Sequence, residues 1–323
     1  MKSKVCVLVV FLLGMLAISQ GKAQTYPSKP IRLIVPYAAG GGTDISERVI
    51  AHHMSESMGQ PVIVDNKPGG GTLLGTAIVA KAAPDGYALV LGTIAHTIAP
   101  ALYKEKMPFN VLSDFTPITQ IAVFPFVVLA NSTSTITSVG DLIAKARNNP
   151  GKLNYASVGK GTGTNLSGEM FKLLTSTSLV HVPYNGSGPA LNALLGSQVD
   201  VAITDPAPAI PLIKSGTLRA LAVTTIKRAS SMPEVPTLAE AGVSGFEFTS
   251  WWGVFGPAGM SSAVVQRLNK EFAKALQQPE VRAKLASFSA DPVGNSPAEF
   301  DSIVKSEVAK FENIVSASKI IVD

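Results

Sequence analysis

The sequence predicts an α/β protein of two lobes that are joined by two crossing strands, with a ligand cleft between them. Short β-branched runs alternate with helical segments along the chain. This alternation occurs in two separate series, and each series contains a strand that runs through a glycine-rich loop into a helix. Such alternation is typical of a parallel sheet with crossover helices, so two series indicate two sheets.

The first series starts with the apolar run "IRLIVPY" and ends with "YALVLGT". Between the two, the pattern predicts helices over 45–58 and 72–83 and a strand over 61–66. In the first of these helices, Ile45, Val49 and Ile50 fall on one face, which is the spacing of an amphipathic helix. The first series therefore predicts three neighbouring parallel strands.

The second series covers 152–225, with strands over 152–158, 178–184, 199–204 and 218–225 and helices over 165–174 and 189–195. Two apolar runs, 118–130 and 246–257, connect the series and are predicted to be the crossing strands. Trp251 and Trp252 are consecutive in the second run, so one should face the cleft and the other the opposite side.

Three C-terminal helices, predicted over 261–276, 279–287 and 297–317, need a sheet to cover. If they pack back on the first sheet, lobe 1 comprises 24–125 and 249–323, and lobe 2 comprises 126–248.

The N-terminus has the layout of a secretory signal peptide over 1–23. Lys2 and Lys4 precede an apolar run that ends at Ile18, and small and polar residues follow up to Ala23. The single cysteine, Cys6, lies inside this run, so the mature chain would form no disulfide. A large disulfide-free exported chain fits the periplasm.

The charge balance gives no sign of a nucleic-acid partner. The net charge of +5 includes Lys2, Lys4 and Lys22, so cleavage lowers 27 basic residues to 24 against 22 acidic ones, or +2. Nucleic-acid binding usually needs a dense basic stripe, and the sequence shows none. No segment after the signal peptide offers the ~18 uninterrupted apolar residues of a membrane span.

The glycine loops "PYAAGGGTDIS" and "SVGKGTGTN" occupy matching places in the two series. The first N–H groups of a helix lack intrahelical partners and the helix dipole is positive there, so each loop predicts an anion site. The alternative is a pair of capped helices without a ligand. In that case Asp44 would take the cap position of the first helix, and Thr164 or Asn165 that of the second.

Several kinds of chemistry do not fit the motifs. Neither loop matches the dinucleotide pattern, because Ile45 and Thr164 stand where a third glycine is needed. The P-loop pattern also fails, because Gly161 rather than Ser or Thr follows Gly159-Lys160, and Asn154 stands at the position of the first glycine. The mature histidines, His52, His53, His96 and His181, show no metal-ligand spacing. We therefore expect no cofactor, no metal and no enzymatic activity. A Ser-His-Asp triad cannot be excluded by spacing alone, so an exported hydrolase that uses Ser157 remains an alternative.

Further polar residues follow predicted strands and are candidates for lining the cleft. They are Tyr37, Thr93, Tyr184, Asn185 and Asp205. The carboxylate of Asp205 could accept a hydrogen bond from a ligand's ammonium or hydroxyl group. It could equally be a turn-forming residue before proline.

The chain resembles the Bug-type substrate-binding proteins, the extracytoplasmic receptors related to those of tripartite tricarboxylate transporters. The resemblance rests on motifs in order along nearly the whole mature chain, among them "YPSKPIRLIVPYAAGGGTD", "VDNKPGGGTLLG", "HVPYNGSGPALNALLGSQVDV" and "WWGVFGPAGM". It implies a type II periplasmic-binding-protein fold whose lobes close on a small organic carboxylate, held by both loops and partly through ordered waters. The implied anchors are Tyr37, Ala38, Gly40 and Asp44 from the first loop, with Ser157, Gly161, Thr162 and Thr164 from the second.

One residue departs from the family pattern. Asn165 stands where the family commonly has histidine, and asparagine cannot become cationic. For Asp44, a capping or water-ordering role is expected rather than direct contact, because its charge would repel a ligand carboxylate. The resemblance further implies a monomer that works with membrane subunits of a transporter or with a sensor kinase.

Overall fold

The computed structural model describes residues 26–318 and Ile320. The predicted signal peptide, 1–23, lies outside the described residues. Within the described range, no helix is long and apolar enough to cross a membrane.

The first sheet has six strands in the order β11-β4-β10-β3-β1-β2. β1 pairs in parallel with β2 and β3, whereas β10 pairs antiparallel with both β3 and β4. The strands are β1 Ile31–Val35, β2 Val62–Asn66, β3 Ala88–Thr93, β4 Phe115–Phe124, β10 Ser250–Pro257 and β11 Asp291–Pro292.

Helices pack on both faces of this sheet, as a mostly parallel sheet requires. The α-helices of this part of the chain are α1 Gly42–Met58, α2 Leu73–Ala80, α3 Ile94–Tyr103, α8 Ser262–Ala275, α9 Pro279–Ser287 and α10 Pro297–Ser318. Short 3₁₀ turns lie at Gly70–Thr72 and Lys104–Lys106.

The second sheet has five strands in the order β7-β6-β8-β5-β9. β6 pairs in parallel with β7 and β8, and β5 runs antiparallel to β8 and β9. The elements are β5 Val127–Asn131, α4 Val139–Asn148, β6 Asn154–Ser157, α5 Gly163–Thr175, β7 Val180–Pro183, α6 Ser187–Leu195, β8 Val201–Thr204, α7 Pro206–Lys214 and β9 Leu218–Val223.

The chain crosses twice between the sheets, as the sequence predicts. The first crossing is direct, because β4 ends at Phe124 in one sheet and β5 begins at Val127 in the other. The second crossing is shorter than predicted, since β10 begins at Ser250 rather than near Phe246. The Phe248 N–H donates to the Thr224 carbonyl at 2.9 Å, so this stretch remains attached to the second sheet.

Helix α10 packs against both α3 and α5. Helix α3 packs on the first sheet and helix α5 on the second. Glu307 of α10 is buried, accepts a 2.6 Å hydrogen bond from the Trp251 indole N–H, and accepts a second bond from Thr97 at 3.1 Å. One apolar core runs through this junction and includes Phe248 and Phe311. The C-terminal helix therefore ties the crossing strand to the core rather than covering the first sheet alone.

The strands of the first sheet all lie within the ranges predicted for lobe 1, and those of the second within the range predicted for lobe 2. We use these two names below, and the boundary residues themselves stay predictions. Three helices are absent from the sequence prediction, namely α3, α4 and α7. Helices α3 and α7 each contain an internal proline, Pro100 and Pro211, which argues against helix in a sequence-based assignment.

Candidate functional site

A cavity of about 860 Å³ lies between the lobes. Both glycine loops contribute to its wall. From lobe 1 these are the residues of 38–43 other than Gly40, and from lobe 2 the residues of 158–164 other than Gly159. In each lobe the loop follows a parallel strand and leads directly into a helix, so the N-termini of α1 and α5 meet at this cavity. This is the edge of a parallel sheet where ligands ordinarily bind in open α/β folds.

In the first loop, Tyr37 and Ala38 line the cavity, whereas Gly40 and Asp44 do not. The Gly40 N–H is already used, because it donates to Asp44 Oδ2 at 2.8 Å. The N-cap of α1 is Gly41, which has no side chain, so the prediction that Asp44 occupies the cap position is wrong. Asp44 is instead the third residue of α1, and its carboxylate accepts the N–H of Gly40, the residue before the cap.

Asp44 is buried and ionised. Burial alone would raise the pKa of its carboxyl, but hydrogen bonds from the Arg48 guanidinium and the Gly40 N–H hold the pKa below its usual value. The Arg48 nitrogen lies 2.9 Å from Oδ1. The charge of Asp44 is thus balanced by Arg48 behind the loop.

The second loop has the same construction. Gly161 and Thr162 line the cavity, and the Gly161 N–H donates to Asn165 Oδ1 at 3.0 Å. Thr162 is the N-cap of α5, and its hydroxyl accepts from the Asn165 N–H and donates to the Gly159 carbonyl at 2.7 Å. Neither Thr164 nor Asn165 is the cap, so that prediction is wrong by two or three residues.

Asn165 occupies the place in lobe 2 that Asp44 occupies in lobe 1. Each is the third residue of its helix and accepts the N–H of the glycine four residues earlier. Asn165 also donates to the Tyr155 hydroxyl at 2.9 Å, is buried, and does not line the cavity. Asparagine at this position, in place of the histidine that the resemblance implies, therefore bonds to the loop and to the strand before it.

Thr164 does line the cavity although it is fully buried against the protein. Its hydroxyl accepts from the Val158 N–H at 3.0 Å and lies 3.0 Å from the hydroxyl of Thr162. These bonds fix the last turn of the loop before α5 begins.

Ser157 lies beneath this loop rather than in the cavity. Its side chain is fully buried, and its hydroxyl lies 2.6 Å from His181 Nε2 and 3.0 Å from the Gly159 carbonyl. Burial lowers the pKa of His181, against the opposing effect of Glu169. The pair resembles a serine and its base, but Ser157 is not among the described residues that line the cavity. Ser157 therefore supports the loop from beneath, and its predicted contact with a ligand carboxylate stays a prediction.

Tyr37 and Thr93 form one unit on the lobe 1 wall. Their hydroxyl oxygens lie 2.7 Å apart, and burial raises the pKa of Tyr37 to about 12. Thr93 also caps α3, because its hydroxyl accepts from the Ala95 N–H at 3.2 Å. Both side chains are thus neutral hydrogen-bonding groups at the cavity.

Asp205 lines the cavity from lobe 2, where β8 ends and α7 begins. Its Oδ2 accepts from the Ser187 hydroxyl at 2.8 Å, and burial raises its pKa. Tyr184 and Asn185, in contrast, do not line the cavity: Tyr184 packs on the lobe 2 core and Asn185 is exposed to solvent. The strand before them, β7, is the edge strand of its sheet and is displaced from the cleft.

Most of the apolar side chains that line the cavity are absent from the sequence prediction. Trp252 lines the cavity while Trp251 is buried in the core, so the two tryptophans do face opposite sides. The other apolar side chains have no local motif that marks them, and the larger ones are Ile94, Ile98, Leu102, Tyr103, Phe124, Phe126 and Phe288. Of the described residues, no group of three or more acidic, histidine or cysteine side chains is placed to hold a metal ion.

Comparison with known proteins agrees with this geometry. A family model described as the tripartite tricarboxylate transporter family receptor matches residues 46–320. Protein BugT of Bordetella pertussis is 35% identical over 294 residues, which cover 91% of this chain and 90% of BugT.

Two solved structures are similar over most of their length. The structure of R. palustris Rpa4515 with adipate is 35% identical, with a TM-score of 0.77, and covers 92% of this chain and 99% of its own. MatC from Rhodopseudomonas palustris with bound malate is 31% identical, with a TM-score of 0.73, and covers 90% of this chain and 100% of its own. The predicted two-lobed periplasmic-binding-protein fold is confirmed.

Proposed function

The chain belongs to the tripartite tricarboxylate transporter receptor family, and from that premise we propose that it is a periplasmic solute-binding protein. It captures a small organic carboxylate between its two lobes and delivers it to a membrane transporter. The same capture step would serve a membrane signalling partner. Transport and sensing would then differ only in which membrane protein binds the closed, ligand-loaded form.

The observation that carries this proposal is the meeting of two helix N-termini, from different lobes, at one cavity. The α1 N-terminus has no side-chain cap, so the first N–H groups, including those of Gly42 and Thr43, have no side-chain acceptor. At α5 the Thr162 hydroxyl serves Asn165, and the N–H groups of Gly163 and Thr164 come before the first intrahelical bond. Unpartnered N–H groups at a positive dipole end are suited to a carboxylate.

Contacts from both lobes to one carboxylate give lobe closure a physical cause. A ligand can shift a protein towards a closed state only by binding that state more tightly. Here each lobe alone offers half of the N–H groups, and the full set surrounds the ligand only when the lobes approach. The two solved relatives with adipate and malate support a carboxylate as the ligand class.

We expect carboxylate binding to depend on the charged head group. Calorimetry with a panel of acids, including hexanoate, benzoate and adipate, should find at least one ligand with a Kd in the micromolar range, which corresponds to about 8 kcal/mol. The primary amide of the best ligand has the same shape without the charge and should bind at least thirtyfold more weakly. If no acid in the panel binds better than millimolar, or if the amide binds equally well, the proposed function is wrong.

The protein is proposed to bind without catalysis. The fully buried Ser157 is the serine that a histidine accompanies, and its hydroxyl is held by Gly159 and His181. We expect no turnover of chromogenic esters above the rate of the Ser157→Ala variant. Turnover that the alanine variant loses would instead establish the hydrolase alternative.

The location and partners follow from the same premise. We propose that residues 1–23 act as a signal peptide, so that the mature chain reaches the periplasm, where membrane subunits of a tripartite transporter would receive it. We expect the mature chain to be monomeric, because the cavity is built by one chain.

A further inference from the structure

The cavity has an apolar wall that runs away from the two glycine loops. Helix α3 contributes Ile94, Ile98 and Leu102, which are spaced four residues apart and so lie on one face of the helix. Eight residues at a rise of 1.5 Å place Leu102 roughly 12 Å along the helix from Ile94. The Ile94 end lies next to Gly163 at the start of α5, so the wall leads from the carboxylate site outwards.

Aromatic side chains form the other part of this wall. Phe124 and Trp252 lie on neighbouring strands with ring centroids 5.2 Å apart, and Phe288 packs on Trp252 at 6.1 Å. All three line the cavity. Phe288 also contacts the first turn of α1 at Gly42, which joins the aromatic wall to the carboxylate site.

Charged groups are scarce in this cavity. Among the described residues that line it, Lys160 is the only basic one and is exposed to solvent, and Asp205 is the only acidic one. A second ligand carboxylate that lay against the apolar wall would lose its hydration without a cation or N–H groups to replace the water, which is costly.

The other described helices that begin at the cavity are α2, α3 and α7, and they offer little to a second anion. At α2, where Gly71 and Thr72 line the cavity, the N–H groups of Thr72 and Leu74 donate to the Gly69 carbonyl and that of Leu73 donates to the Gly70 carbonyl. Helix α7 starts with the sequence "DPAPA", and Pro206 and Pro208 have no N–H group to donate. At α3 the Ala95 N–H is already bonded to Thr93.

We propose that the ligand is a monocarboxylate with an apolar ring or chain, whose head group lies between the glycine loops and whose body lies along the Ile94–Leu102 face. This proposal rests on the carboxylate function proposed above and narrows it. Asp205 is placed to accept a hydrogen bond from a hydroxyl or amino substituent near the head group. It directly follows β8, which pairs with β6, the strand that leads into the second glycine loop.

Matched ligand pairs test this proposal on the wild-type protein. Hexanoate and adipate have the same number of carbons, and benzoate and terephthalate the same ring, but the second of each pair carries an additional carboxylate. Calorimetry should give at least tenfold tighter binding for the monocarboxylate of a pair. Equal or tighter binding of the dicarboxylates would overturn the proposal while leaving carboxylate capture intact.

A substitution at the far end of the wall provides an independent test. Leu102 is partly exposed and ends the apolar face, so Leu102→Arg places a cation there, and Leu102→Met is the apolar control. The arginine variant should shift the adipate-to-hexanoate affinity ratio at least tenfold towards adipate, and the methionine variant less than threefold. An unchanged ratio in a folded arginine variant would mean that the ligand does not extend along α3. If no acid in the wider panel binds better than millimolar, the proposed function itself is wrong.

Discussion

Glu47→Gln is expected to raise the free energy of unfolding by roughly 3 kcal/mol at pH 7 and by less than about 1 kcal/mol at pH 4.5. Glu47 lies in α1 and is fully buried, and neither of its carboxyl oxygens has a hydrogen-bond partner among the residues that the structure describes. Burial raises its pKa from 4.5 to about 8. At pH 7 the folded protein therefore holds a proton on Glu47 that the unfolded chain has released.

The direction of the pH dependence follows from proton binding. Between pH 4.5 and about 8 the folded state binds more protons than the unfolded state, so the stability contributed by Glu47 falls as the pH rises through this window. Each pH unit within the window costs about 1.4 kcal/mol. Glutamine has nearly the same shape and cannot ionise, so the variant lacks this loss.

Urea denaturation of both proteins between pH 4.5 and pH 8 measures the effect. Only the difference between the two proteins matters, because other groups contribute equally to both. One such group is His96, whose burial lowers its pKa to about 3 and which destabilises the fold as the pH falls below 6.5. Glu56 lies on the same helix with an exposed side chain, so Glu56→Gln is the control and should follow the wild-type curve. A constant difference between Glu47→Gln and wild type across the window would contradict the assignment.

The alternation of strands and helices in the sequence suffices to predict the sheets. The reason is that apolar residues recur every two positions in a strand and every 3.6 positions in a helix, so their spacing indicates both the element type and its buried face. The helix over 45–58 and the strand at 61–66 are found with small changes at their ends. Helix α3 is absent from the sequence prediction for a second physical reason besides Pro100. Thr93 ends β3 and caps α3 at once, so no turn residues separate the two, and the helix is apolar around most of its surface.

Within the candidate site, the sequence located the loops but not the direction of each side chain. Both Ser157 and Thr162 belong to the second loop, yet one is buried against His181 and the other faces the cavity. This difference depends on Gly159 and Gly161, whose positive φ values of 151° and 75° turn the backbone between them. Phe288 shows a second limit, because it reaches the cavity from a helix that is about 240 residues distant from the first loop and has no motif of its own.

The roles of Asp44 and Asn165 combine local and tertiary information. Their position four residues after a loop glycine is visible in the sequence, but the hydrogen bonds that this spacing permits are visible only in the structure. The same bond in both lobes fixes the loop that precedes each helix. The N–H groups proposed to bind the ligand carboxylate are those of the first two residues of each helix, namely Gly42, Thr43, Gly163 and Thr164.

Thr162→Asp is expected to weaken carboxylate binding at least thirtyfold, whereas Thr162→Asn should change it less than fivefold. Thr162 lines the cavity and caps α5. Aspartate and asparagine are both good N-cap residues, so both variants should keep the helix and the fold. They differ by one negative charge placed where the ligand carboxylate would lie.

The magnitude follows from the repulsion between two carboxylates. At a separation of about 5 Å and an effective dielectric constant of about 20, two unit charges repel by roughly 3 kcal/mol, which is about a hundredfold in affinity. The new aspartate would also satisfy the unpartnered N–H groups of α5 from within the protein, so it competes directly with the ligand. Thermal unfolding of the two variants should be similar, with the aspartate variant at least as stable as the asparagine variant.

Calorimetry with the best acid of the panel, at low and at high salt, distinguishes charge from shape. If the ligand carboxylate lies between the two helix N-termini, the affinity gap between the two variants should narrow as salt screens the added charge. If both variants lose binding equally, the threonine acts through its size or its own hydroxyl group. If neither variant loses binding, the carboxylate lies elsewhere in the cavity, because a negative charge on the N-cap residue of α5 would repel a carboxylate bound at that helix N-terminus.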